Sequence, residues 1–169
     1  MPLYYKILFA MAYSAVVCDL KSERIPNEGI CLFWGTGLIF QIITEGFQGL
    51  GNGMAGAFLP LMTLAGLFFF RMIGAGDIKL LSALGSVMGP AVVLKCMVLS
   101  FFFGALLSAA ILIDTKTLII RLRYFTEYFR NLYTRKSVVP YCKKGKRLEN
   151  IHFSVPVFMA VMLHMGGFY

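Results

Sequence analysis

Apolar residues in this chain are gathered into six long runs, with polar residues concentrated between them. The runs cover residues 3–18, 29–44, 53–72, 78–89, 91–113 and 151–168. Most approach the length of about 20 residues that a helix needs to cross a bilayer. Because lipid offers the backbone no hydrogen-bond partners, segments of this kind are expected to be helices. The pattern therefore predicts an all-α, polytopic membrane helix bundle with about six transmembrane helices.

The composition agrees with a membrane location and leaves room for one domain. Hydrophobic residues make up 59% of the chain and charged residues 14%, and the mean hydropathy is +0.76. Soluble domains carry about 25% charged residues. Six crossings would use most of the chain, so we expect a single membrane-embedded domain over residues 1–169. The first run shows no signal-peptide cleavage site, and we expect it to be retained as the first helix.

The distribution of Lys and Arg predicts the orientation of the bundle. Residues 115–150 hold ten of the sixteen Lys and Arg residues. With the N-terminus outside, fourteen of the sixteen lie on the cytoplasmic side, and only Lys6 and Lys95 lie outside. The positive-inside rule favours this arrangement. Six crossings then place both chain ends outside.

The fourth run is the shortest. As a helix, residues 78–89 would rise about 18 Å, against a hydrocarbon core of roughly 30 Å. Removing this crossing would place the basic segment outside, so we expect it to be kept. The bilayer is then locally thin, or the helix begins below the cytoplasmic surface and Asp77 lies within the membrane.

The basic segment has a helical pattern of its own. Its apolar residues recur at spacings of three and four, as in an amphipathic helix on the cytoplasmic leaflet. A cationic cluster follows, which could bind anionic lipid headgroups at about 1 kcal/mol per charge. We expect lipid contact here and no nucleic-acid partner. The apolar residues are Leu118, Leu122, Phe125, Phe129 and Leu132, and the cluster is Lys143, Lys144, Lys146 and Arg147.

Two carboxylates stand out, because charge close to a lipid-embedded helix is costly. Asp19 ends the first run and Asp77 directly follows the third, so counting crossings places both on the cytoplasmic side. Two close carboxylates in a medium of low dielectric share a proton. One then acts as a base toward water and the other as an acid toward a peptide carbonyl. This chemistry needs no metal or cofactor, and the sequence leaves open which aspartate holds the proton.

Other motifs in the chain do not match a nucleotide-binding loop or a metal site. Residues 74–79 (GAGDIK) lack the spacing and the hydroxyl residue of a phosphate-binding loop, and residues 51–56 match G-x-G-x-x-G without a strand before them. Four scattered cysteines show no metal-ligand spacing. His152 and His164 also lack such spacing, and we expect His164 to be interfacial. Asp114 ends the fifth run on the cytoplasmic side and remains a less favoured alternative for the pair.

The motifs around the two aspartates resemble those of the type IV prepilin peptidases, which are G-x-G-D membrane aspartic proteases. Residues 19–21 (DLK) and 24–27 (RIPN) match one motif, and residues 74–79 match the other. The resemblance implies that Asp19 and Asp77 are catalytic. It also assigns supporting roles toward substrate or motif to Lys21, Arg24, Pro26, Asn27, Gly74, Gly76 and Lys79. Residues 151–156 resemble the start of the last family helix, and we expect a structural role for them.

The resemblance also implies a substrate and a location. The substrate would be a prepilin or pseudopilin, cut at the cytoplasmic face of a bacterial or archaeal plasma membrane between its basic leader and its apolar helix. The chain begins at its first peptidase helix without the paired cysteines of the methyltransferase region. We therefore expect a small, cleavage-only form similar to those of tight-adherence pili.

Two rival functions stay open. A different G-x-G-D protease would cut inside the apolar segment of its substrate. A small transporter or channel would use the buried aspartates to relay protons or bind cations, although no inverted repeat is evident. The sequence does not indicate the oligomeric state.

Overall fold

The computed structural model describes residues 2–22, 27–70, 72–114 and 152–169, together with Thr126. Four helices contain almost all of the four ranges, and no strand occurs within them. The helices are α1 (Leu3–Ser22), α2 (Asn27–Phe69), α3 (Ala75–Asp114) and α4 (Ser154–Met165). The predicted all-α class is therefore confirmed for the part of the chain described. The amphipathic helix predicted within 115–150 lies outside it and stays a prediction.

Helix α2 folds back on itself at Gly46. This residue has φ 65° and ψ −142°, a left-handed backbone that glycine adopts without a steric cost. Trp34 precedes the break and Phe58 follows it, and their rings lie 6.1 Å apart. Closer to the break, Gly49 packs against the backbone carbonyl of Gln41. These pairs are nearly symmetric about residue 46, so α2 is a hairpin of two antiparallel arms.

Helix α3 folds back in the same way at Gly89, where φ is 75° and ψ is 171°. Pro90 follows, and its missing N–H favours a break. A β-carbon built on Gly85 would lie 3.3 Å from Cγ2 of Val93. Residues eight apart in a continuous helix are separated by about 12 Å along its axis. This contact therefore shows that α3 also consists of two arms.

Both breaks lie at one end of the bundle. The buried side chain of Gln41 donates from Nε2 to the carbonyl of Val87 at 2.9 Å, which satisfies a carbonyl in the last turn before the α3 break. Tyr4, at the start of α1, lies beside this end, because its ring is 6.0 Å from that of Phe40. We call this the hinge end. The opposite end, where α1 finishes and α2 begins, is the open end.

A hydrogen-bonded cluster closes the hinge end. Nε2 of His164 lies 3.0 Å from Tyr4 Oη, and its Nδ1 lies 2.9 Å from the carbonyl of Tyr169. The Tyr169 hydroxyl donates to the carbonyl of Ala160 at 2.8 Å, and burial raises the pKa of that hydroxyl. His164 is only 8% exposed. The C-terminal residues fold over His164, and its expected position at the membrane interface stays a prediction.

The six predicted runs correspond to α1, the two arms of α2, the two arms of α3, and α4. Within the described ranges, three helices are long and apolar enough to cross a membrane: Leu3–Lys21, Asn27–Phe69 and Ala75–Ile111. A straight helix of 43 residues would be about 65 Å long, roughly twice the hydrocarbon thickness. The breaks at Gly46 and Gly89 divide each of the two longest helices into two shorter arms.

Helices α2 and α3 approach closely because glycines line their contact. Gly56 and Gly85 face each other, so that a β-carbon on either one would overlap the carbonyl oxygen of the other. Small residues permit such close packing of helices in membranes. Large apolar side chains point outward instead, with Ile43, Phe47 and Met62 at least 77% exposed. The bundle is thus tightly packed inside and apolar outside, as a lipid environment requires.

Replacing Gly85 by alanine is expected to destabilise the bundle. The added methyl group overlaps the carbonyl of Gly56 and forces the two backbones apart, at a cost of about 1–3 kcal/mol. The thermal unfolding midpoint in detergent would fall, followed by the fluorescence of Trp34, the single tryptophan. Gly66→Ala is the matched control, because nothing lies within 4 Å of a β-carbon there. An equal midpoint for both variants would contradict the close contact.

Candidate active site

Two aspartates from different helices meet at the open end of the bundle. Asp19 lies in the last turn of α1 and Asp77 in the first turn of α3. The two carboxylates are close enough for electrostatic repulsion between them. The Asp19 side chain is 16% exposed, and Asp77 is half-buried. The structure therefore brings together the two aspartates that the sequence singled out.

Asp77 is held by the loop that precedes α3. Its carboxylate accepts a hydrogen bond from the backbone N–H of Gly74, and a β-carbon built on Gly74 would lie 3.0 Å from Oδ2. Neither Gly74 nor Gly76 has a positive φ, and nothing lies within 4 Å of a β-carbon at Gly76. Backbone conformation therefore does not require glycine at either position. At Gly74 the requirement is space beside a carboxylate.

Asp19 is held by two side chains at the start of α4. Ser154 Oγ donates to Asp19 Oδ2 at 2.6 Å, and His152 Nδ1 lies 3.3 Å from the same oxygen. The sequence pattern predicts only a structural role for residues 151–156 and reveals neither contact. Counting the predicted crossings could have indicated these contacts, because it puts the start of the last helix on the same side of the membrane as Asp19.

A cavity of about 530 Å³ opens beside Asp77. One wall belongs to the start of α3 and the loop before it, and the opposite wall belongs to the second arm of α3 and to Phe153. The cavity is lined by Met72, Ile73, Gly74, Asp77, Phe101, Gly104, Ala105, Ser108 and Phe153. Its lining combines the Asp77 carboxylate with apolar side chains, and its size admits a segment of peptide.

The remaining motif residues are placed as follows. Lys79 Nζ donates to Asn27 Oδ1 at 2.8 Å, which ties the start of α2 to α3. Lys21 is exposed in the last turn of α1. The other two, Arg24 and Pro26, lie outside the described residues. The two sequence motifs are thus in direct contact through Asn27 and Lys79.

The alternative carboxylate, Asp114, is exposed at the C-terminal end of α3. Among the described residues, no group of three or more His, Cys, Asp and Glu side chains is arranged to hold a metal ion. The chemistry available at the open end is therefore that of two carboxylates, a histidine and a serine.

Comparisons with known proteins agree with this arrangement. The profile of the type IV leader peptidase family matches residues 6–109, a range that includes Asp19 and Asp77. A prepilin leader peptidase/N-methyltransferase of Aeromonas hydrophila is 31% identical over 103 residues, which are 56% of this chain and 35% of that protein. The matched region thus spans about a third of the length of this relative. No solved structure matches significantly. Since the family profile covers more than half of the chain, this protein belongs to the type IV leader peptidase family.

Proposed function

We propose that this protein is an aspartic endopeptidase that removes the leader peptide from type IV prepilins or pseudopilins at the cytoplasmic face of the membrane. The observation that carries the proposal is the electrostatic interaction of Asp19 with Asp77 at the open end of the bundle, where Asp77 also lines a cavity. The name of the Aeromonas hydrophila relative supports a prepilin substrate and leader cleavage. Of the two activities in that name, we propose only the peptidase activity for this protein.

The chemistry proposed for the pair is general acid and base catalysis. Two carboxylates that repel each other in a partly buried site hold one proton between them. The ionised carboxylate removes a proton from water as the water attacks the scissile peptide carbonyl. The protonated carboxylate donates to the carbonyl oxygen, and a proton then passes to the leaving amine as the carbon–nitrogen bond breaks.

The proposed topology has six crossings, with both termini outside and the open end at the cytoplasmic face. In support, Lys21 and Lys79 lie at the open end with the aspartates. Lys95, which the sequence places outside, lines a pocket together with Tyr169 at the hinge end. This separation follows the positive-inside rule.

The same topology fits the proposed substrate. The apolar helix of a prepilin would lie in the bilayer, and its polar leader would remain in the cytoplasm. The junction between the two would then reach the depth of Asp19 and Asp77, where the cavity opens. Residues 1–169 are proposed to act as one membrane-embedded unit in this reaction.

Replacing either aspartate is expected to abolish cleavage. Asp19→Asn and Asp77→Asn each remove one member of the acid–base pair, which is worth about 10²–10⁴-fold in rate. The measurement is cleavage of a prepilin in proteoliposomes, with the cut site located by mass spectrometry. Asp114→Asn is the matched control and should cleave normally. Full activity in either dyad variant would refute the proposal, and a cut inside the apolar segment would support the rival intramembrane protease.

The Gly74 position gives a second test of the site. In Gly74→Ala the new methyl group lies within 3.0 Å of Asp77 Oδ2 and displaces the carboxylate. A misplacement on the scale of 1 Å costs up to about 10²-fold in rate. The loss in Gly76→Ala should be smaller, because its β-carbon points into open space. A larger loss at Gly76 would show that substrate contact there outweighs the crowding at Asp77.

The topology is tested by labelling single cysteines. In a chain whose four cysteines have been replaced, Phe168→Cys should react with a membrane-impermeant maleimide in intact cells. Glu28→Cys, at the start of α2, should react only after the membrane is permeabilised. Both positions are exposed, with Phe168 at 78%. The reverse pattern would overturn the proposed orientation.

A further inference from the structure

Two side chains at the start of α4 converge on a single oxygen of Asp19. Ser154 Oγ donates to Oδ2 at 2.6 Å, and His152 Nδ1 lies 3.3 Å from that oxygen. Anchoring one oxygen of a carboxylate fixes its rotation about the bond from Cβ to Cγ. The second oxygen, Oδ1, is thereby directed away from the start of α4.

The Ser154 contact has the geometry of a strong hydrogen bond. A separation of 2.6 Å is typical of a hydroxyl that donates to an ionised carboxylate. Ser154 is 1% exposed, so water does not compete for its hydroxyl. Ser154 is also the first residue of α4, where the helix dipole favours a nearby negative charge. The residue before it, Phe153, provides no side-chain cap.

The second contact to Asp19 Oδ2 comes from His152. Its side chain is 32% exposed, and a ring protonated at Nδ1 donates to Asp19. Imidazole is the side chain whose ordinary titration falls between about pH 5 and 8. Within the described part of the chain, the other titratable groups near Asp19 are Asp77 from α3, and Cys18 and Lys21 on α1 itself. Any influence of His152 on the reaction should therefore appear in the pH profile.

We propose that Ser154 and His152 are positioning residues for Asp19, holding its carboxylate in the orientation that shares a proton and a water molecule with Asp77. The inference rests on the proposed peptidase function. Neither residue lies within residues 6–109, the range matched by the family profile. Through Ser154 and His152, the beginning of α4 contributes to the active site.

The kinetic test compares buried hydroxyls. Ser154→Ala should lower kcat at least about tenfold with little change in KM, since the substrate still binds while the Asp19 carboxylate is misaligned. Ser154→Thr, which keeps the hydroxyl, should recover part of the loss. Ser100→Ala is the matched control, because the Ser100 hydroxyl is equally buried and donates within its own helix to Cys96 O at 2.7 Å. His152→Gln should change the pH profile of kcat between about pH 5 and 8.

A second measurement needs no substrate. Unfolding midpoints in detergent are compared for the wild type, Asp19→Asn, Ser154→Ala and the double variant. Residues in direct contact give non-additive effects, so the double variant should lose less than the sum of the single losses. Additive losses would overturn the contact.

The two measurements separate the positioning role from the peptidase function. Wild-type kcat in Ser154→Ala, in an assay where Asp77→Asn is inactive, would overturn the positioning role and leave the peptidase function intact. Absence of prepilin cleavage by the wild type would overturn the peptidase function, and with it the role of Ser154 in cleavage. The unfolding comparison would still decide whether Ser154 holds Asp19.

Discussion

Charged side chains are costly within the hydrocarbon core of a membrane, so a helix bundle places them most readily where its helices end. Every polar contact of the open end obeys this constraint. Asp19 closes α1, Asn27 opens α2, Asp77 lies in the first turn of α3, and Ser154 opens α4. The candidate site is therefore a meeting of four helix termini. Its position at one end of the bundle follows from the requirement that the middle be apolar.

The two aspartates are held in different ways, although the acid–base proposal treats them as a pair. Asp77 is bound by the backbone of its own loop, through the N–H of Gly74. Asp19 is bound by side chains that arrive from α4. Substitution can alter the second arrangement without disturbing any backbone. The environment of Asp19 is therefore the part of the site that sequence change can adjust most easily.

Much of this arrangement could be predicted from the sequence because its signals are local. Apolar runs define the helical segments, and Gly89 with Pro90 marks the break in α3. The pairing of Asp19 with Asp77 follows from counting crossings between them. The contact of Ser154 with Asp19 could not be predicted in this way, since it joins residues 135 positions apart and depends on how α4 packs against α1. The crowding at Gly74 likewise depends on the rotamer of Asp77, which no sequence pattern specifies.

The hairpin form of α3 links the width of the cavity to a residue at the far end of the molecule. One wall carries Asp77 on the first arm, and the other carries Phe101 and Gly104 on the second arm. The arms diverge from Gly89, and each of these residues lies some 12–15 positions from it, about 20 Å along a helix. A change of about 5° between the arms would shift the walls by nearly 2 Å over that length. The angle between the arms at Gly89 thus sets the distance between the two walls of the cavity. Substitutions around Gly89 would change which peptides fit without replacing either aspartate.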